Sequence, residues 1–359
     1  MIPPRAPRPA RPPAPDTRAV VARLRAGRRS RDRRTLLTVS ALAVAVLGLT
    51  TASVLLGGIG RIDPADVLPA AFGLRDGLAD YMIFRLRMPR ALSALLAGAL
   101  FGLAGSLYQR LIRNPLATPD IVGISAGAGA GAATALLYAP AAFTLGVPAA
   151  AVLGSFVLVA AVHLLSWRGG VDTYRLVLVG IGLSAVCTAY TNYLFTVADQ
   201  QSIAIAMRWT VGSTSAADWD GVTTLAVGFG ACATAALFLG RSLAVLTLGD
   251  GFAAALGARV TASRIGVLLL GAAAAALATS VVGPIGFVSL VSGPIAVRLV
   301  GTGRSTLVAP AVGAVMVLGA DVLAQHAPLI SPVPTGVLTA LLGAPYFVWL
   351  ILRRRQGAS

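Results

Sequence analysis

The chain has 359 residues, of which 57% are hydrophobic and only 12% are charged. A soluble domain of this size usually carries about a quarter charged residues, so much of this surface must face an apolar solvent such as a lipid bilayer. The formal net charge of +16 is concentrated in one tail and at the ends of apolar segments, which argues against nucleic-acid binding.

The N-terminal segment is rich in proline and arginine and has no hydrophobic periodicity. It contains eleven of the 29 basic residues within the first 34 positions. This composition predicts a disordered cytoplasmic tail over residues 1–34, held near anionic lipid by its charge. The segment is too long and too rich in arginine for the n-region of a cleaved signal peptide. We expect a transmembrane domain over residues 35–353 and a short cytoplasmic tail over residues 354–359.

Apolar runs that approach the length needed to cross about 30 Å of hydrocarbon as helices recur along the chain. We predict ten of them, at residues 36–57, 90–111, 121–139, 147–167, 175–197, 222–240, 265–283, 285–300, 306–324 and 335–352. The predicted fold is therefore all-α, a polytopic membrane protein with about ten transmembrane helices. The connection at Gly283-Pro284 is so short that a re-entrant turn is an alternative there.

The arginine distribution predicts the orientation in the membrane. With both termini in the cytoplasm, 23 of the 29 basic residues lie inside and six outside, which satisfies the positive-inside rule. An odd number of crossings would place one of the two basic ends outside. We therefore predict a multi-pass protein of the bacterial inner (plasma) membrane with an even number of crossings.

Glycines recur at four-residue spacing in two of the apolar runs. They are Gly98 and Gly102 in the second run, and Gly123, Gly127 and Gly131 in the third. Small residues at this spacing let helix backbones approach closely in lipid. The pattern predicts helix packing, and a functional glycine site is the weaker alternative.

The sequence carries no recognisable energy source or catalytic centre. It has no G-x-x-x-x-G-K-[ST] loop for ATP, and apart from Asp321 the predicted membrane interior is nearly free of the acids that ion-coupled carriers use. His163 and His326 are predicted at opposite membrane faces, and the isolated Cys187 and Cys232 favour neither a disulfide nor a metal site. We therefore expect no catalytic residue, no bound metal and no resident cofactor, and the energy must come from a partner.

Five motifs follow one another in a recognisable order. They are RMPR at 87–90, NPLATP at 114–119 with GISAGA at 123–128, MRWTVGS at 207–213, LGD at 248–250 with Gly257, and GPIGFV at 283–288 with PTG at 334–336. Together they resemble the permease family of iron–siderophore, heme and vitamin-B12 ABC importers (FecCD type). The resemblance covers residues 36–353, all but the tails.

The resemblance implies roles for particular residues. Arg87 and Arg90 are expected to face the periplasm and pair with acids of a substrate-binding protein, although arginines beside a span also serve as interface anchors. The cytoplasmic stretch expected to press into a cleft of the ATPase comprises Leu248, Gly249, Asp250, Phe252, Ala253, Leu256 and Gly257. The residues of the fifth span expected to line the pathway are Thr188, Tyr190, Thr191, Asn192 and Tyr193. Hydrogen bonding between helices is an alternative explanation of this polar cluster. The structural motif positions are Asn114, Pro115, Gly123, Gly127, Gly336 and Pro345.

Three positions depart from the family pattern. Gly293-Pro294 stands where a Pro-His pair is usual, Pro332 replaces an acid, and Gln325 replaces a third outer arginine. A permease paired with a more orthodox partner tolerates such losses, so we favour a heterodimer with a second permease over a homodimer.

The function implied is alternating-access import of a ferric-siderophore-type chelate across the inner membrane. The partners implied are a second permease, two cytoplasmic ATPases that bind ATP and Mg, an extracytoplasmic substrate-binding protein and membrane lipid, with no nucleic acid. A permease for heme or cobalamin is one alternative, since residue types do not separate these ligands. A secondary carrier that works without ATP is an alternative of a different class.

Overall fold

The chain is described by a computed structural model that covers residues 17–57, 81–138, 146–167, 173–326 and 333–356. Regular secondary structure within these ranges is entirely helical. The α-helices are α1 (Thr17–Leu56), α2 (Met88–Ile112), α3 (Ile124–Tyr138), α4 (Gly146–Ser166), α5 (Thr173–Val197), α6 (Gln200–Val211), α7 (Trp219–Leu246), α8 (Asp250–Ala255), α9 (Val260–Val282), α10 (Val288–Val300), α11 (Ser305–His326) and α12 (Thr335–Gln356). A π-helix (Tyr81–Arg87) leads directly into α2, and a 3-10 helix (Pro119–Val122) precedes α3.

Every predicted apolar run coincides with one of these helices, which confirms the all-α membrane fold. Seven helices in the described part of the chain are long and apolar enough to cross a bilayer. The apolar parts of α3, α10 and α12 are shorter, and the number of crossings and the sides of the two termini stay predictions. The short helices α6 and α8, which no apolar run predicted, lie in connections between the longer ones.

The first helix begins earlier than the apolar pattern indicates. Residues 17–34, which we expected to be disordered, are continuous with α1. Alanine, leucine and arginine favour helix, and contacts with the α10–α11 connection hold the end of this extension. Arg304 pairs with Asp32 and donates to the Thr35 hydroxyl, at 3.1 Å. Residues 1–16 lie outside the described residues.

The second helix lies at the centre of the bundle, packed against α7, α9, α10 and α11. Its glycines explain how the neighbours come so close. A Cβ on Gly98 would overlap the carbonyl oxygen of Gly313, and one on Gly102 would overlap that of Ala309. The spacing recognised in the sequence is therefore a backbone-to-backbone contact between α2 and α11, as helix packing in lipid favours. Gly127 makes the same kind of contact with Gly154, between α3 and α4.

Candidate functional site

One end of the bundle is organised around a buried carboxylate near the end of α11. The Asp321 side chain is fully buried, and Arg90 of α2 binds it in a bidentate ion pair. The Arg90 Nε lies 3.1 Å from both carboxylate oxygens, and Nη2 lies 2.9 Å from Oδ1. The Arg90 side chain keeps 23% of its surface exposed. The ion pair joins α2 to α11 through charge-assisted hydrogen bonds, which are stronger than those between neutral groups.

Three neutral side chains complete the shell of donors around Asp321. Thr214 and Thr335 both donate to Oδ1, the latter at 3.0 Å, and Gln325 donates to Oδ2 at 2.6 Å. Gln325 also reaches the hydroxyl of Ser53 on α1, at 3.3 Å. The carboxylate therefore ties together α1, α2, α11, α12 and the loop before α7. We call this set of side chains the Asp321 cluster: Arg90, Asp321, Thr214, Thr335, Gln325 and Ser53.

The MRWTVGS, GPIGFV and PTG segments meet beside this cluster. The backbone amide of Ser213 donates to the carbonyl of Val282 at 2.7 Å, and that of Gly336 donates to the carbonyl of Gly212 at 3.1 Å. Gly212 and Gly283 both have positive φ, +78° and +72°, a conformation that glycine adopts without strain. The sequence order concealed that these motifs form one site. The roles of Thr214, which follows the MRWTVGS motif, and of Thr335, which lies within the PTG motif, escaped recognition.

Arg87, the other predicted docking residue, points into the protein. Its side chain donates to the carbonyl oxygens of Val54, at 3.0 Å, and Leu55, at 3.1 Å, in the last turn of α1. Only 5% of the residue is exposed. These carbonyls have no hydrogen-bond partner within the helix, so Arg87 supplies the donor that the C-terminal end of α1 needs. The structure thus gives both arginines internal partners, and their docking role stays a prediction.

The opposite end of the bundle carries the predicted ATPase-coupling stretch. It forms a compact elbow of residues 248–257, in which α8 lies between two glycines with positive φ, Gly249 at +112° and Gly257 at +78°. No described residue lies within 4 Å of a Cβ placed on either glycine, so the glycines are needed for the direction of the chain and not for close packing. The glycines turn the chain out of α7 and back into α9.

The elbow presents apolar side chains to the outside. Leu248, Phe252 and Leu256 are 61%, 72% and 66% exposed, while Ala253 is fully buried against the bundle. A loop that faces water gains nothing from three large exposed apolar side chains. The arrangement suits insertion into an apolar cleft of another protein.

Ion pairs fix the elbow to the two helices that run into the membrane. Asp250 at the start of α8 accepts from Arg264 of α9, at 2.9 and 3.0 Å, and from Arg113 at the end of α2, at 3.3 Å. Arg113 also donates to the carbonyl of Leu246, at 3.0 Å. Asp250 therefore connects the elbow to the end of α2 and to α9. Sequence reasoning named Asp250 but missed both arginine partners, which lie 137 and 14 residues away.

The predicted pathway residues lie on α5, which the rest of the chain leaves largely uncovered. Tyr190 and Tyr193 are 42% and 61% exposed, and Thr188 and Asn192 are also exposed. Thr191 is buried and donates to the carbonyl of Cys187, at 3.0 Å. The Tyr190 hydroxyl lies 3.1 Å from that of Thr134 on α3. The open face of α5 is available for another subunit or for a solute.

The NPLATP motif makes the turn between α2 and the 3-10 helix. The Asn114 side chain accepts a hydrogen bond from the backbone amide of Leu116, at 3.0 Å. The backbone carbonyl of Asn114 accepts one from the amide of Ala117, so Asn114 stabilises a turn over residues 114–117. Gly123 has φ +86°, and a Cβ there would lie 2.6 Å from the Ser184 hydroxyl. Pro345 lies inside α12. Pro332 lies outside the described residues.

The histidines and cysteines remain apart. No group of three metal-ligating side chains occurs among the described residues. His163 packs edge-on against Trp167, and His326 contacts the carbonyls of Val322 and Leu56 at the end of α1.

Comparisons with known proteins give the family of the chain. The profile of the FecCD transport family matches residues 42–353. The ferric enterobactin transport system permease protein of Escherichia coli K12 is 35% identical over 89% of this chain and 96% of its own length. A siderophore transport system permease protein of Bacillus subtilis 168 is 36% identical, over 87% and 94%. The hemin transport system permease protein of Yersinia pestis is 34% identical, over 76% and 84%.

Solved structures give the same fold. One, described as an inward-facing conformation of a metal-chelate type ABC transporter, has a TM-score of 0.76 and 28% identity, and covers 87% of this chain and 98% of the other. A second, PsaBC from Streptococcus pneumoniae in complex with Fab, has a TM-score of 0.55 and 16% identity, over 79% and 94%. The second likeness shows the fold alone.

Proposed function

The chain belongs to the FecCD transport family, and we propose that it imports a ferric siderophore-type chelate as one half of a pair of permeases. It is a multi-pass permease subunit of an ABC importer in the bacterial inner membrane. It is not itself an enzyme, because ATP hydrolysis in this family occurs on a separate ATPase chain.

The observation that carries this proposal is the elbow at residues 248–257. Its exposed apolar face, formed by Leu248, Phe252 and Leu256, offers a partner a surface that water does not favour. Asp250 ties the same segment to α2 and α9. A force applied by an ATPase at this surface passes into two membrane helices through charged contacts and short connections. A carrier that needs no ATPase has no use for such a surface.

We assign the docking of a substrate-binding protein to the opposite end, at the Asp321 cluster. Arg90 supports this assignment, since 23% of its side chain remains exposed beside its ion pair. Arg87 acts less directly, because it holds the end of α1 in place. An acidic residue of a docking partner therefore meets Arg90 as part of a prearranged surface, which sets orientation and on-rate.

The face of α5 is assigned to the pathway and to the contact with a second permease. Its exposed tyrosines, Tyr190 and Tyr193, combine a flat apolar ring with a hydroxyl, a chemistry suited to bulky chelates.

The second permease is proposed to differ from this chain. Gln325 stands where the family has a third outer arginine, and in a heterodimer the partner supplies the missing docking contact. Cysteines introduced at Asn192 and Tyr193, with Cys187 and Cys232 replaced by serine, test the contact of α5 with the second permease. We expect crosslinks to the partner permease, and none from a Phe238→Cys control on α7.

The substrate class rests on the named relatives, which include permeases for ferric enterobactin and hemin. Uptake of a panel of labelled compounds distinguishes the choices: ferric catecholate, ferric hydroxamate, ferric citrate, heme and cobalamin. The full complex in liposomes should favour one of the ferric chelates over heme and cobalamin. Preference for heme or cobalamin would overturn the substrate assignment and leave the permease assignment intact.

A further inference from the structure

A large cavity opens at the end of the bundle predicted to face the cytoplasm. It measures about 840 Å³ and lies between α2, the end of α7, α10 and the start of α11. Three arginines line it, Arg110, Arg113 and Arg298. No acidic side chain is among the described residues of its wall. The polar groups that complete the wall are those of Ser106, Gln109, Thr247, Thr302 and Ser305.

Two of the three arginines lack a negative partner among the described residues. Arg113 shares Asp250 with Arg264 on the elbow. Arg110 donates to the neutral hydroxyl of Thr306, at 2.9 Å. The Arg298 guanidinium lies over the ring of Trp349, 4.3 Å from its centroid. Within the part of the chain that the structure describes, neither Arg110 nor Arg298 forms an ion pair, so the cavity wall carries excess positive charge.

The wall also offers donors in an arrangement that suits an anion. Helix α11 begins at Ser305, and Thr302, Gly303 and Ser305 all line the cavity, so the amino end of this 22-residue helix faces it. Unpaired backbone amides and the helix dipole favour negative charge at such a position. Guanidinium groups present planar pairs of donors that match phosphate oxygens.

The family departure at Gly293-Pro294 helps to shape this space. Both residues line the cavity. Gly293 lies so close to Gln109 that a Cβ there would overlap the side-chain oxygen. Gln109 in turn donates to the carbonyls of Ser289, at 3.3 Å, and Leu290, at 2.9 Å. Glycine at position 293 therefore allows the Gln109 side chain to lie directly against α10.

We propose that this cavity binds a phosphate group. Its volume is within the range of roughly 300–1,000 Å³ found for small-ligand sites. Two sources present the same chemistry on this side of a membrane: a soluble phosphate compound and the headgroup of an anionic phospholipid. Bound phosphate neutralises Arg110 and Arg298 beside the elbow, where an ATPase docks under the proposed function. The binding itself depends only on the cavity and not on what the permease transports.

Binding is tested on the full-length chain purified in detergent and in nanodiscs. Equilibrium dialysis with labelled pyrophosphate probes the soluble source. Native mass spectrometry after exchange into phosphatidylglycerol or phosphatidylcholine probes the lipid source. The variants are Arg298→Gln and Arg110→Gln, each of which removes one cavity charge. The matched control is Arg241→Gln, an exposed arginine of α7 outside the cavity wall.

We expect the wild type and Arg241→Gln to retain one pyrophosphate, or one phosphatidylglycerol in preference to phosphatidylcholine. Each cavity variant should weaken that binding about tenfold, since it removes one charge-assisted contact to the phosphate. Binding of neither probe by the wild type overturns the proposal, whatever the variants do. Equal binding by the wild type and both cavity variants also overturns the proposal. In that case Arg110 and Arg298 only stabilise the C-terminal ends of α2 and α10.

Discussion

Arg90 and Asp321 lie 231 residues apart in the sequence and form a bidentate ion pair, with Nη2 to Oδ1 at 2.9 Å. The aspartate is fully buried and the arginine is 23% exposed. Because of this difference in burial, losing Asp321 should cost more folding stability than losing Arg90. The carboxylate holds four donors, whereas the arginine can turn toward water when its partner is lost.

Replacing Asp321 should therefore destabilise the protein strongly. Asp321→Ala leaves Thr214, Thr335 and Gln325 without their acceptor inside the bundle, at a cost of about 2–4 kcal/mol. Asp321→Asn keeps an acceptor oxygen and should lose less. Thermal unfolding in detergent measures the difference. Asp220→Asn is the control, because Asp220 is exposed and forms no ion pair among the described residues, and it should shift the midpoint little. An Asp321→Ala midpoint equal to that of the control contradicts the assigned role.

Phe252 on the elbow should matter for coupling and not for folding. Its side chain is 72% exposed, so Phe252→Ala removes little packing within the chain. We expect an unchanged melting midpoint but a several-fold loss of substrate-stimulated ATP hydrolysis in the reconstituted complex, because truncated interface anchors cost at least about 1–2 kcal/mol. Phe238→Ala on α7, where the residue is 81% exposed, is the matched control. Equal ATPase activity of the two variants rules out the elbow as the coupling surface.

Asp250 should affect coupling through its ion pairs with Arg113 and Arg264. Asp250 is about half exposed, so its ion pairs contribute at most about 1 kcal/mol to stability. Asp250→Asn should therefore leave the melting midpoint nearly unchanged while ATP hydrolysis continues with less transport per ATP. Asp250→Glu, which keeps the charge, should restore part of the coupling. If Asp250→Asn transports as many molecules per ATP as the wild type, the ion pairs do not transmit the motion.

The glycine contacts between α2 and α11 give a sharp test of packing. Gly98→Ala places a methyl group against the carbonyl of Gly313 and forces the helices apart, which should lower stability by about 1–3 kcal/mol. Gly230→Ala in α7 is the control, since no residue in the described ranges lies within 4 Å of a Cβ there. Higher helix propensity should leave that variant as stable as the wild type, or more so by up to about 1 kcal/mol. Equal stability of both variants contradicts the close approach of α2 and α11.

The sequence sufficed for the long apolar helices and not for the short helices α6 and α8 or for the clusters of side chains between helices. A run of apolar residues predicts a membrane helix because the bilayer imposes its length, and each predicted run coincides with a helix. The direction of Arg87 had no such signal, since an arginine beside a span has the same sequence context whether it points outward or caps a neighbouring helix. The Asp321 cluster unites five segments far apart in sequence, and only the fold brings Thr214 and Thr335 to the carboxylate.

The elbow was predictable for a different reason. Gly249 and Gly257 bracket it, and glycine is the residue a chain needs where φ is positive, so spacing and family resemblance pointed to the same segment. Its partners Arg113 and Arg264 were not predictable, because charge pairing across loops leaves no periodic trace in the sequence.

Uptake by proteoliposomes tests the central claim most directly. The chain is reconstituted with its partner permease, with or without the ATPase, and supplied with binding protein, a labelled ferric chelate, and either ATP or a non-hydrolysable analogue. We predict uptake only when the ATPase and hydrolysable ATP are both present, and loss of that uptake in Phe252→Ala but not in Phe238→Ala. Equal uptake without the ATPase would show that the permease carries its solute unaided and would contradict the account.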